Sequence, residues 1–160
     1  MKNLVLIIIC YVLGLSITLA DVPKSGKFSI TSGLKMEYTP TKQSEEGHMQ
    51  GPFTVVGVSF NDEGKGLFHK GTFACSASAM VMPDGTAINS GYCTIGDSNG
   101  KIFFKFTGEV GTDFVGKGKN IIVGGTGAYK GITGEGPWNC SILSANGSLL
   151  CEETFTYKIK

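Results

Sequence analysis

Between residues 61 and 147 the chain is broken at short intervals by clusters of turn-forming residues. The clearest are NDEGKG (61–66), MPDG (82–85), GDSNG (96–100), GTD (111–113), GKGKN (116–120) and SANG (144–147). The segments between them are short and rich in Val, Ile, Phe, Thr and Tyr, the residues that suit a pleated, half-buried surface. Candidate strands fall near 27–30, 34–38, 52–60, 67–82, 86–95, 101–110, 120–124, 128–143 and 148–159. No segment keeps a helical three-four repeat, and KQSEEGHMQ (42–50) is too polar and carries a glycine. The reading is an all-β domain, an antiparallel sandwich or barrel.

Alternation within the segments supports strands with one buried and one wet face. In KIFFKFTGEV, Ile102, Phe104, Phe106 and Val110 share a face opposite Lys101, Lys105, Thr107 and Glu109. Near the C-terminus, Cys151, Phe155, Tyr157 and Ile159 stand opposite Glu152, Thr154, Thr156 and Lys158. The turns then constrain the cysteines. A three-residue hairpin loop at Pro83-Asp84-Gly85 pairs Met82 with Thr86, and the same register sets Cys75 against Cys93. A four-residue loop at 144–147 sets Cys140 against Cys151 in the same way. Directly opposed strand residues lie ~4.5–5.5 Å apart at Cα, within disulfide reach. Two disulfides, each inside its own hairpin, are expected; long-range pairing is the alternative.

The first 20 residues read as a secretory signal peptide. Lys2 gives a positive start, Leu4–Leu15 is nearly all apolar, and Thr18 and Ala20 precede a cut before Asp21. Residues 21–160 are then one secreted or periplasmic domain, with no second apolar run near the ~20 residues of a membrane span. Cys10 leaves with the leader, and an even set of four cysteines fits an oxidising compartment. The mature segment holds 13 lysines, 13 acids and no arginine. A neutral balance without the bidentate arginine fork argues against nucleic-acid partners.

Two glycine motifs invite functional readings that their context removes. NIIVGGTGAYKGITGEG (120–136) begins like a strand entering a phosphate loop, but the third fingerprint glycine is Lys130. No helix start follows to aim amides at an anion. The glycines read instead as backbone devices for a reversal and for a sharply bent strand. GDSNG resembles a nucleophile elbow at Ser98, yet a strand follows where a helix is required, so it reads as a hairpin loop. His48 and His69 fit no metal spacing, and no metal or cofactor is expected. As candidate ligand contacts the sequence offers His69, Glu109, Tyr129 and Trp138. His69 is two residues from Gly71 and four from Phe73, which puts it on their face. The structural alternatives are a surface histidine, a solvated acid, and core packing for the two aromatics. Asn139-Cys140-Ser141 and Asn146-Gly147-Ser148 match glycosylation sequons.

GGTGAYKGITGEG (124–136), followed by Trp138-Asn139-Cys140, resembles the glycine-rich motif of the allene oxide cyclase and dirigent superfamily. With SGYC (90–93) and GDSNGKIFF (96–104), it is still more similar to uncharacterised secreted bacterial members. The resemblance covers roughly residues 66–159 and implies an eight-stranded antiparallel barrel of calycin type. It carries over no catalytic residues, and it implies a homo-oligomer only as far as the plant members are often oligomeric. Three functions stay open: a barrel binding a small apolar or amphipathic ligand, a cyclase- or isomerase-like enzyme on that barrel, and a protein-interaction module with a filled barrel. Phe104, Phe106, Phe155 and Tyr157 decide between them, according to whether they fill the interior.

Overall fold

The alternating segments form strands β1 (Ser25–Tyr38), β2 (Lys42–Gln43), β3 (Met49–Asn61), β4 (Gly71–Val81), β5 (Ala87–Asp97), β6 (Gly100–Val110), β7 (Val115–Gly125), β8 (Ile132–Ile142) and β9 (Ser148–Ile159). The computed structural model describes residues 22–40 and 42–160; the expected signal peptide lies outside the described residues. From β3 to β9 each strand pairs antiparallel with the next, and β1 pairs with both β3 and β9. The eight long strands therefore close into an antiparallel barrel, with β2 attached to the start of β3. Closure leaves none of the eight with a free edge, the arrangement that best prevents strand-to-strand aggregation.

Glycine misleads the strand reading in two places. The segments expected at 27–30 and 34–38 are one strand, β1: Phe28, Ile30, Ser32 and Leu34 point inward in unbroken alternation, and Gly33 faces out. GKGKN, expected as a break, lies within β7. Its glycines are needed there because the Trp138 ring lies against them: a Cβ on Gly118 would come 2.7 Å from Trp138 Nε1. Conversely, residues 127–129 form a single 3-10 turn, so β8 starts later than expected. Pro137, inside β8, falls where the ladder to β9 is interrupted, between the Glu135–Thr156 and Trp138–Glu153 pairs. A residue with no N–H to donate is tolerated at such a gap.

Both hairpin registers stand as expected. The Met82 amide donates to the Thr86 carbonyl, Gly85 takes the left-handed conformation (φ 86°), and Cys75 pairs with Cys93. The Leu143 amide donates to the Ser148 carbonyl, and Cys140 pairs with Cys151. Both pairs are disulfide-bonded, with Cα atoms 4.0 Å apart in each. The GDSNG segment is a tight turn closing the β5–β6 hairpin, with Asp97 opposite Gly100.

One end of the barrel is solid. Phe28, Phe68, Phe104, Phe155 and Tyr129 pack against one another across it with ring centroids 4.8 to 5.3 Å apart, and Ile30, Ile95, Ile102 and Ile132 fill the remainder. Burying each ring fully is worth about 1.5–3 kcal/mol relative to leaving it exposed. Phe68 reaches the interior from the β3–β4 connection only by adopting a left-handed backbone (φ 58°). Its amide donates to Asp97 Oδ2 and its carbonyl accepts from Ser59 Oγ, which holds that uncommon conformation.

Candidate functional site

The other half of the barrel is hollow. A cavity of about 260 Å³ lies among inward side chains of all eight long strands and reaches the end bounded by Gly85 and Phe114. Its wall is mostly apolar, from Leu34, Phe53, Val55, Phe73, Phe106, Trp138 and Leu149, and all four disulfide sulfurs' residues contribute to it. Phe104, Phe155 and Tyr157 do fill the barrel, but only in the solid half. Phe106 lies on the cavity wall, edge-on to Trp138 at 5.9 Å. The mouth is apolar too, since Phe114, with φ 61°, is 62% exposed beside it.

Tyr38, Asn89, Asn120 and Glu153 bring polar side chains to this space. Glu153 sits on β9 between registered neighbours Ile30 and Trp138 and is 6% exposed; Asn120, on β7, is 1% exposed. Asn120 Nδ2 donates to Glu153 Oε1 at 3.3 Å. Glu153 Oε2, Asn120 Oδ1, Asn89 Oδ1 and Tyr38 Oη are buried with no hydrogen-bond partner. Among the described residues no lysine or histidine lines the cavity. Burial therefore dominates the acid, pushing the Glu153 carboxyl up to about 8, with the Asn120 hydrogen bond opposing the rise. Among the described residues no cluster of acids, histidines or cysteines is arranged to hold a metal ion.

Of the four residues singled out in the sequence, Trp138 lines the cavity, its Nε1 donating to the Thr107 carbonyl at 3.2 Å. Tyr129 belongs to the solid end. Its ring is fully buried against Phe68 and its hydroxyl donates to Asp97 Oδ2 at 2.6 Å. Burial first, then the bond to Asp97 and its charge, raise the Tyr129 phenol above its ordinary range. Glu109 is exposed on the outer surface, 3.5 Å from Lys117. Such a pair is worth little. His69 does not share the face of Gly71 and Phe73. Left-handed Phe68 and Lys70 break the alternation, and the imidazole packs edge-on to Phe60, whose side chain is on the outside.

The residues that the sequence reading passed over are Glu153, Asn120 and Asn89. The signal for Glu153 was present: it falls in phase with Cys151, Phe155, Tyr157 and Ile159, so period-two alternation alone turns it inward. Asn120 is likewise in phase with Ile122 on β7.

No protein-family description and no curated protein matches the sequence. Among solved structures, the chain is similar to a protein of unknown function from the DUF3224 family of Shewanella oneidensis MR-1. The TM-score is 0.53 at 13% identity, over 84% of this chain and 98% of that one. It also matches a pterocarpan synthase dirigent protein with a TM-score of 0.48 and 12% identity, over 86% of this chain and 88% of that one. At these identities the likeness to the bacterial protein is one of fold alone.

Proposed function

We propose that this protein is an exported barrel that holds one small, largely apolar molecule in the cavity at its open end. The observation that carries the reading is the cavity itself, apolar-walled and about 260 Å³ in volume. An apolar cavity of roughly 150 Å³ is already enough to bind benzene. Export is supported by the leader-like first 20 residues and by two disulfides, which persist in oxidising compartments. Secreted material should begin at Asp21, which N-terminal sequencing reads directly.

Trp138 is the chain's single tryptophan and lies on the cavity wall, so its emission is a built-in reporter. Titration with a small alicyclic compound such as cyclohexylmethanol is expected to shift that emission saturably. Ala79→Phe, which fills the cavity from β4, is expected to abolish the response while leaving the fold intact by circular dichroism. A response unchanged in Ala79→Phe would remove the reading. The acid inside the cavity favours a second function, an isomerase or cyclase in which Glu153 moves a proton. That reading requires turnover of the ligand recovered from source-isolated protein, with Glu153→Gln retaining binding and losing turnover.

A further inference from the structure

The interior polar pair has capacity that its own packing does not use. One hydrogen bond joins Asn120 Nδ2 to Glu153 Oε1, and the second carboxyl oxygen of Glu153, Oε2, and the amide oxygen of Asn120, Oδ1, are left buried and unpartnered. Buried polar atoms are rarely left so, and each orphan costs free energy. Among the described residues, Tyr38 on β1 is the other titratable group on the cavity wall, and no cationic side chain lines the cavity to stabilise a carboxylate. The registered neighbours of Glu153 on the flanking strands, Ile30 and Trp138, carry no charge. A protonated carboxyl presents an O–H donor at Oε2, while Asn120 Oδ1 presents only an acceptor.

Building on the ligand-binding reading, we propose that Glu153 and Asn120 together select a neutral hydroxyl or carboxamide on an otherwise apolar ligand. The ligand's oxygen accepts from the Glu153 O–H, and its own O–H or N–H donates to Asn120 Oδ1. A single hydroxyl fulfils both roles and bridges the two orphan atoms. An ammonium group has donors only and forces the acid to ionise in an apolar cavity. A carboxylate has no donor for Asn120 and brings an unpaired charge into the interior. A plain hydrocarbon leaves both protein oxygens unpaired. Burial, which pushes the carboxyl up to about 8, keeps this donor in place through neutral pH.

Three isosteric probes test the selection: cyclohexylmethanol, ethylcyclohexane and cyclohexylmethylamine, each titrated against the intact protein by Trp138 emission and calorimetry. The alcohol is expected to bind at least about tenfold more tightly than the hydrocarbon or the amine at mildly acidic pH, because only it pairs the site's polar atoms. Its affinity should be flat up to neutral pH and then fall by about tenfold per unit above about pH 8, as the proton that makes the donor is lost. Glu153→Gln keeps a neutral donor, so it should bind the alcohol with no alkaline loss. Glu153→Leu should bind alcohol and hydrocarbon alike. The proposal is overturned if hydrocarbon and alcohol bind wild type equally, if the amine binds most tightly, or if Glu153→Gln shows the same alkaline loss as wild type. If none of the probes binds wild type, the cavity-binding reading falls, and this selection with it. Equal binding of all three removes the selection alone.

Discussion

Burying Glu153 makes the folded barrel keep a proton that the unfolded chain gives up. The carboxyl's ordinary value is 4.5, and burial moves it up to about 8. Between those limits the native state binds more protons than the unfolded state, so raising the pH favours unfolding. Stability is expected to decline through this window by up to about 1.4 kcal/mol per pH unit and to level off above about pH 8. Urea denaturation of wild type and Glu153→Gln checks this. The two should be nearly equal near the acid limit, and the variant should be more stable by a few kcal/mol at the alkaline one. A wild-type profile parallel to that of the variant would show that the acid is solvated. Glu153 was legible as an inward position, because strand alternation fixes direction. Its environment was not, because alternation does not say whether an inward residue meets another side chain or empty space.

At the scale of strands and hairpins, turn chemistry carried most of the information. Pro83-Asp84-Gly85 and the 144–147 loop pin the register of their hairpins, and register alone sets each cysteine against its partner. In the chain-entropy account, each short disulfide loop contributes around 3 kcal/mol. Glycine was the weak point, since it marks a turn and a close approach equally well. Gly108, Gly116 and Gly118 lie beneath Trp138 on β6 and β7, and a Cβ on Gly108 would stand 2.1 Å from Trp138 Cζ2. Gly108→Ala is therefore expected to displace the indole, lower stability by about 1–3 kcal/mol, and alter both the emission and ligand response of Trp138. Fluorescence and denaturation on the same sample measure it; an unchanged spectrum would mean that the ring does not rest on this glycine.

The molecule as a whole divides along its axis, packed at one end and hollow at the other. The glycine-rich segment at 124–136 serves the packed end: its 3-10 turn delivers Tyr129 into the plug, and Asp97 fixes it by hydrogen bonds to the Tyr129 hydroxyl and the Phe68 amide. Tyr129→Phe removes the hydroxyl bond to a carboxylate and is expected to cost about 1.5–3 kcal/mol while leaving cavity binding at the far end unchanged. Thermal denaturation and Trp138 titration read the two effects separately, and coupled losses would show that the halves are not independent. Period-two patterning made an all-β fold legible, and the resemblance pointed to eight strands in a barrel. Neither indicated that the filling stops halfway, because that depends on side chains meeting across the interior from strands far apart in sequence.

The ring of strands also sets the start of β1 beside the end of β9. β1 and β9 run side by side, and the Ile159 amide donates to the Lys24 carbonyl at 2.7 Å, at the plugged end. A linkage made beside Lys24 or Ile159 therefore lies at the plugged pole, and the opening beside Phe114 faces away from it. The same adjacency allows a short peptide to join the start of β1 to the end of β9 and the chain to be recut at the Ser98–Asn99 turn. Such a circular permutant would keep its new ends at the plugged pole, away from the mouth.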